Sequence, residues 1–104
     1  MSERRLREIE AQIERIKAEL VKLPPVLRPG SLTRQYANPP EKKGAYWQVS
    51  YTRKMKSKTE YVKPECVSSV RKQIAAYKKL KKLSDKWVEL GLEASRLSMK
   101  SNDE

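Results

Sequence analysis

The first part of the chain has a helical pattern of apolar residues. They recur at alternating steps of three and four, which places them along one stripe of an amphipathic helix, at the a and d positions of a heptad. Pro24 and Pro25 end this pattern, because the residue before a proline is disfavoured in the helical conformation. The sequence therefore predicts a helix over residues 1–23, and its apolar stripe needs a helical partner. The stripe consists of Leu6, Ile9, Ile13, Ile16, Leu20 and Leu23.

The middle of the chain, residues 24–63, has a strand pattern. Proline and glycine are followed there by runs rich in aromatic and β-branched residues, which predict three strands over 31–36, 46–52 and 59–63 in an antiparallel meander. Alternation along the second strand assigns Trp47, Val49 and Tyr51 to the core face. The link over 53–58 has no Gly, Asn or Pro, which predicts a longer, mobile tip in place of a tight turn.

The last third of the chain predicts a long amphipathic helix over residues 64–100. Its apolar residues keep steps of three and four, but two successive steps of three between Tyr77 and Leu83 shift the stripe there. Gly91 is a weak point, because a glycine inside a helix costs about 1 kcal/mol relative to alanine. Residues 101–104 are expected to fray as a tail.

Taken together, these elements predict one domain of the α+β class. A small three-stranded antiparallel sheet is inserted between two long helices, which are expected to pack as an antiparallel coiled coil. The second helix is longer than the first, so part of its apolar stripe has no partner in the chain. This excess predicts a homodimer formed through the long helix.

The composition argues against an enzyme. The chain has no histidine and one cysteine, so a histidine-activated nucleophile and a zinc site are excluded, and no glycine-rich phosphate loop is present. Cys66 is expected to be a small buried apolar residue, and the tyrosines of the middle segment to pack in the sheet. We therefore predict no catalytic residue, no metal and no cofactor.

The charge of the chain is strongly positive and unevenly distributed. The net charge is +11, and residues 24–63 hold nine basic side chains against two acidic ones, with no acid between Lys42 and Lys58. Such a field attracts polyanions, whereas a merely solvated surface usually mixes both signs. No apolar run approaches the ~18–20 residues that cross a bilayer, and no signal-peptide core follows Met1, so a cytoplasmic, nucleoid-associated protein is expected.

These features predict a nucleic-acid-binding accessory or regulatory protein, with double-stranded DNA as its ligand. A two-stranded ribbon can enter a major groove, and lysines at its tip can neutralise phosphates and release their counterions. Arg34, Gln48 and Ser50 are expected to face outward as readers of the DNA. The predicted binding residues are Arg28, Arg34, Lys42, Lys43, Gln48, Arg53, Lys54, Lys56, Lys58, Lys63, Arg71 and Lys72.

Two other functions remain open from the sequence. The first is a protein-interaction factor whose helical stripe docks on another protein, for example to inhibit a nucleoprotein enzyme. The second is binding of RNA or single-stranded DNA by base stacking, which requires at least two of Tyr46, Trp47, Tyr51 and Tyr61 to face solvent.

A set of short motifs also carries a family resemblance. They are Leu27-Arg28-Pro29-Gly30-Ser31-Leu32 followed by Tyr36, Gly44-Ala45-Tyr46-Trp47 at the start of a strand, Lys58-Thr59 before Tyr61-Val62, and Val70, Ile74 and Tyr77. Over roughly residues 26–90 the chain resembles a family of uncharacterised prokaryotic proteins, a domain of unknown function often found on mobile elements. Many members have a cysteine-rich knuckle after the tyrosine that Tyr36 matches, whereas this chain has no cysteine there, so the resemblance implies no metal role.

Overall fold

The protein has two helices and three strands in the predicted order. A computed structural model describes residues 2–38 and 43–102. The elements are α1 (Ser2–Val21), β1 (Ser31–Asn38), β2 (Lys43–Arg53), β3 (Lys56–Val62), a 3₁₀ turn (Pro64–Cys66) and α2 (Val67–Asn102). The prediction of an α+β fold, with a three-stranded antiparallel sheet between an N-terminal helix and a long C-terminal helix, is confirmed.

The helix ends differ from the predicted ones. α1 stops at Val21, and the next two backbone N–H groups donate to carbonyl oxygens three residues back, which closes the helix with a tighter turn. α2 continues through Gly91 without interruption and includes Ser101 and Asn102, two residues of the tail that was expected to fray. The remaining two residues of that tail lie outside the described residues.

The chain divides into two compact units. The helical unit consists of α1 and of α2 from Lys79 onward, and the sheet unit spans Pro24–Lys78. α2 thus contributes its first three turns to one unit and the rest to the other. The boundary falls within the segment from Tyr77 to Leu83, where two successive three-residue steps were predicted to shift the apolar stripe. Among the described residues, no helix is both long and apolar enough to cross a bilayer.

In the helical unit, α1 and α2 run antiparallel. Arg5 near the start of α1 donates two hydrogen bonds to Glu93, and Glu19 near the end of α1 pairs with Lys79, which lies earlier in α2. The two helices also share an apolar cluster with three buried side chains and partly buried neighbours: Ile9, Ile16 and Leu90, with Ile13, Leu20, Leu83, Trp87, Ala94 and Leu97. The stripes predicted on both helices therefore meet each other, while coiled-coil geometry stays a prediction.

In the sheet unit, the strands follow the order β1-β2-β3 and pack one face on the beginning of α2. Val49 in the central strand is completely buried, beside Val62, Val70 and Ile74. Trp47 packs against this cluster, which confirms the predicted core face of β2. The sheet and the first turns of α2 therefore form one apolar core.

Gly30 lets the chain pass close to this core. Its φ of +130° is unfavourable for residues with a side chain, and an added Cβ would lie 2.8 Å from a methyl carbon of Val49 and 2.9 Å from the carbonyl oxygen of Ser50. A glycine is therefore required at the entry to β1.

The preceding residues are held by Arg28. Its backbone N–H donates to the carbonyl oxygen of Gln73 at 3.3 Å, and its guanidinium lies over the ring of Tyr51, 5.3 Å from the centroid. Arg28 Nη1 donates to Glu60 Oε2 at 3.5 Å, and the hydroxyl of Tyr51 donates to Glu60 Oε1 at 2.8 Å. The hydrogen bond from Tyr51, with the charge of Arg28, lowers the pKa of the Glu60 carboxyl.

Two local predictions are wrong. β2 and β3 are joined by a two-residue turn, because Arg53 pairs with Lys56 and both Lys54 and Met55 have left-handed backbone, with φ of 52° and 66°. The predicted longer tip is absent because strand pairing continues to the turn even without Asn or Gly, the residues that adopt this conformation at little cost. Cys66, expected to be buried, is exposed because it ends the 3₁₀ turn ahead of α2.

The turn generates a prediction about stability. The left-handed backbone of Met55 costs a residue with a side chain about 1–2 kcal/mol, and glycine adopts the same conformation without this cost. Met55→Gly is therefore expected to keep the turn and to raise the free energy of unfolding by about 1 kcal/mol. Urea unfolding followed by the fluorescence of Trp47, in a Trp87→Phe background, measures this change. Ser57→Gly, next to the turn but in β3, is the control and is expected to destabilise. A destabilised Met55→Gly variant would contradict the assigned turn.

Glu60 generates a prediction about pH. A carboxyl whose pKa is lowered by folding stabilises the protein above its ordinary value of 4.5, and this contribution is lost as the pH falls through the lower, folded pKa. Glu60→Gln is therefore expected to be less stable than the wild type near neutral pH and to show a flatter loss of stability in acid. Urea unfolding at a series of pH values tests this, with the exposed Glu65→Gln as control. Parallel curves for Glu60→Gln and the wild type would refute the role given to Glu60.

Candidate nucleic-acid interface

Four cations lie together at the end of the β2–β3 hairpin. The register pairs Arg53 with Lys56 and Tyr51 with Lys58. The cations Arg53, Lys56 and Lys58 therefore lie with Tyr51 on the face of the hairpin that also carries Val49. Lys54 from the turn joins them, and together they line a shallow surface depression. We call Arg53, Lys54, Lys56 and Lys58 the basic tip.

The basic tip is open to solvent. All four cations are exposed, and none forms an ion pair with a carboxylate of the described residues. The nearest acid on this face, Glu60, already accepts hydrogen bonds from Tyr51 and Arg28. Met55 is 98% exposed between Lys54 and Lys56, so an apolar side chain forms the outermost point of the hairpin.

The opposite face of the sheet is uncharged. The residues that alternate with the core positions carry hydroxyl and amide groups, and Ser50 and Thr52 each lie within hydrogen-bond distance of a hydroxyl on β3. Gln48 and Ser50 face outward here, as predicted, but Arg34 does not join them. Arg34 pairs with Trp47 across β1 and β2, which places it on the core-side face, and it stacks over Tyr36 at 5.8 Å from the centroid. A strand register can only be read from the partner strand, so the predicted face of Arg34 was wrong, although its side chain is exposed.

A second basic group lies at the beginning of α2. The guanidinium of Arg71 stacks over the ring of Trp47 at 5.1 Å from the centroid, and Arg71 lines a groove beside Gly30 together with Lys78, one heptad further along the helix. Lys72 is exposed on the same helix, and Lys63 is exposed ahead of the 3₁₀ turn. Lys78 was not among the predicted binding residues, although its spacing of seven from Arg71 places both on one side of the helix.

The remaining predicted residues contribute differently. Arg28 is mostly covered and is held by Glu60 and Tyr51, so its guanidinium serves the fold. Lys42 lies outside the described residues, and Lys43 begins β2. Apart from Lys43, the predicted cations of the described residues fall into three sets: the basic tip, the group at the beginning of α2, and Arg28 and Arg34, which stack on aromatic rings of the sheet.

The aromatic residues do not form an open stacking platform. Tyr61 is 64% exposed on the uncharged face, whereas Tyr46, Trp47 and Tyr51 are half-buried. Tyr51 is also engaged by Glu60, and the hydrogen bond to that carboxylate raises the pKa of its hydroxyl. Stacking on single strands required at least two of these four rings to face solvent; Tyr61 is exposed, and Tyr46 lies on the same face of the sheet but is half-buried.

Comparison with known proteins identifies a family. No match to the chain is found among curated proteins or among solved structures. A family model described as a domain of unknown function, DUF6788, matches residues 2–72, which include α1, the whole sheet and the first turns of α2. The expected resemblance to an uncharacterised family is thereby confirmed, with a match that begins earlier and ends earlier than the motifs indicated. This chain belongs to the DUF6788 family of proteins with a domain of unknown function.

Proposed function

We propose that this protein binds double-stranded DNA through the basic tip of the β2–β3 hairpin, mainly by contacts to phosphates. The observation that supports this proposal is a cluster of four exposed cations without a carboxylate partner among the described residues. A cation that already pairs with a carboxylate gains little from a phosphate, whereas a free one releases a counterion from the DNA when it binds. The basic tip therefore provides up to four phosphate contacts.

The shape of the hairpin favours a duplex. A two-stranded antiparallel ribbon fits the width of the major groove of B-DNA, and the two-residue turn makes the leading end of this ribbon narrow. Met55 at that end provides an apolar side chain for contact with base edges, such as the methyl group of thymine. Most contacts remain with the backbone, so a modest sequence preference is expected and the protein would be associated with the nucleoid.

The stacked arginines of the sheet unit are less available for contacts with DNA phosphates. Arg28 and Arg71 each stack on an aromatic ring of the sheet unit, and Arg28 is also paired with Glu60. Release of such an arginine from its ring would cost stability, because a cation over an aromatic face contributes about 0.5–1 kcal/mol even at exposed sites. These residues are therefore expected to support the binding surface without being its main contacts.

The proposal predicts the salt dependence of binding. With all four residues of the basic tip changed to glutamine, the slope of log K against log salt concentration becomes less negative by about 0.9 for each phosphate that the protein no longer neutralises, and by up to about 3.6 in total. The measurement is a titration of a labelled mixed-sequence duplex at several salt concentrations, with single-stranded DNA and structured RNA of equal length alongside.

A matched variant controls for overall charge. The control changes four exposed cations of the helical unit to glutamine: Arg7, Arg15, Lys22 and Lys86. It removes the same number of positive charges as the basic-tip variant. This control is expected to keep most of the wild-type slope. Equal slopes for the wild type and the basic-tip variant would remove the hairpin from the binding site. Tighter binding of single strands or RNA than of the duplex would contradict the proposed ligand.

A further inference from the structure

α2 carries a second apolar face that α1 does not cover. Val88, Leu92 and Met99 are between 50% and 62% exposed, whereas Trp87 and Leu90 pack toward α1. The spacing of the exposed residues, four and then seven, places them along one side of the helix. We propose that a second copy of this chain covers this face, with the two α2 helices antiparallel about a two-fold axis near Leu92.

The charges beside this face indicate that the occupant is a second copy. Asp85 and Glu89 precede Leu92, and Arg96 and Lys100 follow it, all four exposed along one flank of the stripe. The midpoints of the pairs Asp85–Lys100 and Glu89–Arg96 coincide, between residues 92 and 93. In an antiparallel pair of α2 helices each acid therefore meets a base of the other copy, and each base meets an acid, as an isologous interface requires.

Within one chain, each of these four charges has a like charge four residues away on the same flank. Asp85 and Glu89 are four residues apart, as are Arg96 and Lys100, and like charges at this spacing repel each other on a helix. None of the four pairs with another residue whose side chain the structure describes. A second copy in antiparallel orientation places an opposite charge across from each of the four. A parallel arrangement would instead place like charges together.

Gly91 is a separate observation on the same helix. A Cβ added there would meet nothing within 4 Å, so packing within the chain does not require a glycine at this position. A glycine in the middle of a helix nevertheless costs about 1 kcal/mol relative to alanine. Ser84 and Ser98 lie one heptad on either side, which gives a row of small residues beside the apolar stripe. Such a row lets a second helix approach closely, with Gly91 next to the two-fold axis.

The core of the helical unit supports the same conclusion. Only three side chains, Ile9, Ile16 and Leu90, are buried in the apolar cluster between its two described helices. Two antiparallel helices bury one narrow seam, and a second pair of helices placed against the back of α2 would enclose Val88, Leu92 and Met99 as well. This proposal does not depend on DNA binding.

Charge exchange tests both the partner and the orientation. The wild-type chain is expected to sediment at low ionic strength as a dimer, at twice the monomer mass of 12.1 kDa. Glu89→Arg and Arg96→Glu each place like charges together twice in the symmetric dimer, so each is expected to raise the dimer dissociation constant about tenfold or more. The double variant, with the two charges exchanged, is expected to restore wild-type association.

Two further variants complete the experiment. Glu10→Arg makes the same charge change on the exposed surface of α1 and is expected to leave association unchanged. Leu92→Lys is expected to give a monomer with unchanged helix content by circular dichroism, which separates loss of the interface from loss of the fold.

Three results would overturn the proposal. A wild-type chain that stays monomeric at every concentration would leave the apolar face to a different protein. A dimer that is indifferent to Glu89→Arg and Arg96→Glu would form through another surface. Single variants that dissociate without rescue by the double variant would exclude the antiparallel pairing of these two residues.

Discussion

The burial of Val49 against Val62, Val70 and Ile74 is the contact on which the arrangement of the sheet unit depends. Because side chains alternate along a strand, a central residue fixed in the core determines the face of every other residue in β2, and the register carries that choice to β1 and β3. Arg53, Lys56 and Lys58 share a face for this reason. A shift of one residue would turn the whole set to the other side of the sheet.

The positive charge of the chain has two distinct physical uses in the sheet unit. Arg28, Arg34 and Arg71 lie over aromatic rings, where the flat guanidinium covers apolar surface. The basic tip consists of one arginine and three lysines that are exposed to solvent and have no carboxylate partner among the described residues. The proposal of DNA binding depends on this difference, because total charge alone would not distinguish a cation that holds the fold from one that is free to meet a phosphate.

α2 connects the two units in the chain and belongs to both. Its residues up to Lys78 complete the core under the sheet, and those from Lys79 onward pair with α1. The same helix retains a third set of positions, Val88, Leu92 and Met99, that neither use requires. Beside these positions, the acids Asp85 and Glu89 come before Leu92 and the bases Arg96 and Lys100 come after it. Opposite charges of two copies therefore face each other only when the two α2 helices are antiparallel. The proposed dimer follows from this polarity.

The sequence by itself determined the class of fold, the order of its elements and the two helical stripes, because spacing of apolar residues reports directly on which face of a helix or strand is buried. It also placed Trp47 and Val49 in the core and concentrated the charge in the middle of the chain. Only the tertiary structure decided the stacking of Arg28 on Tyr51 and the sheet face of Arg34, since both depend on which residue of a neighbouring strand lies opposite. The tight turn at Lys54 and Met55 was likewise decided by the pairing of whole strands, which overrides the local preference of two residues for another backbone conformation.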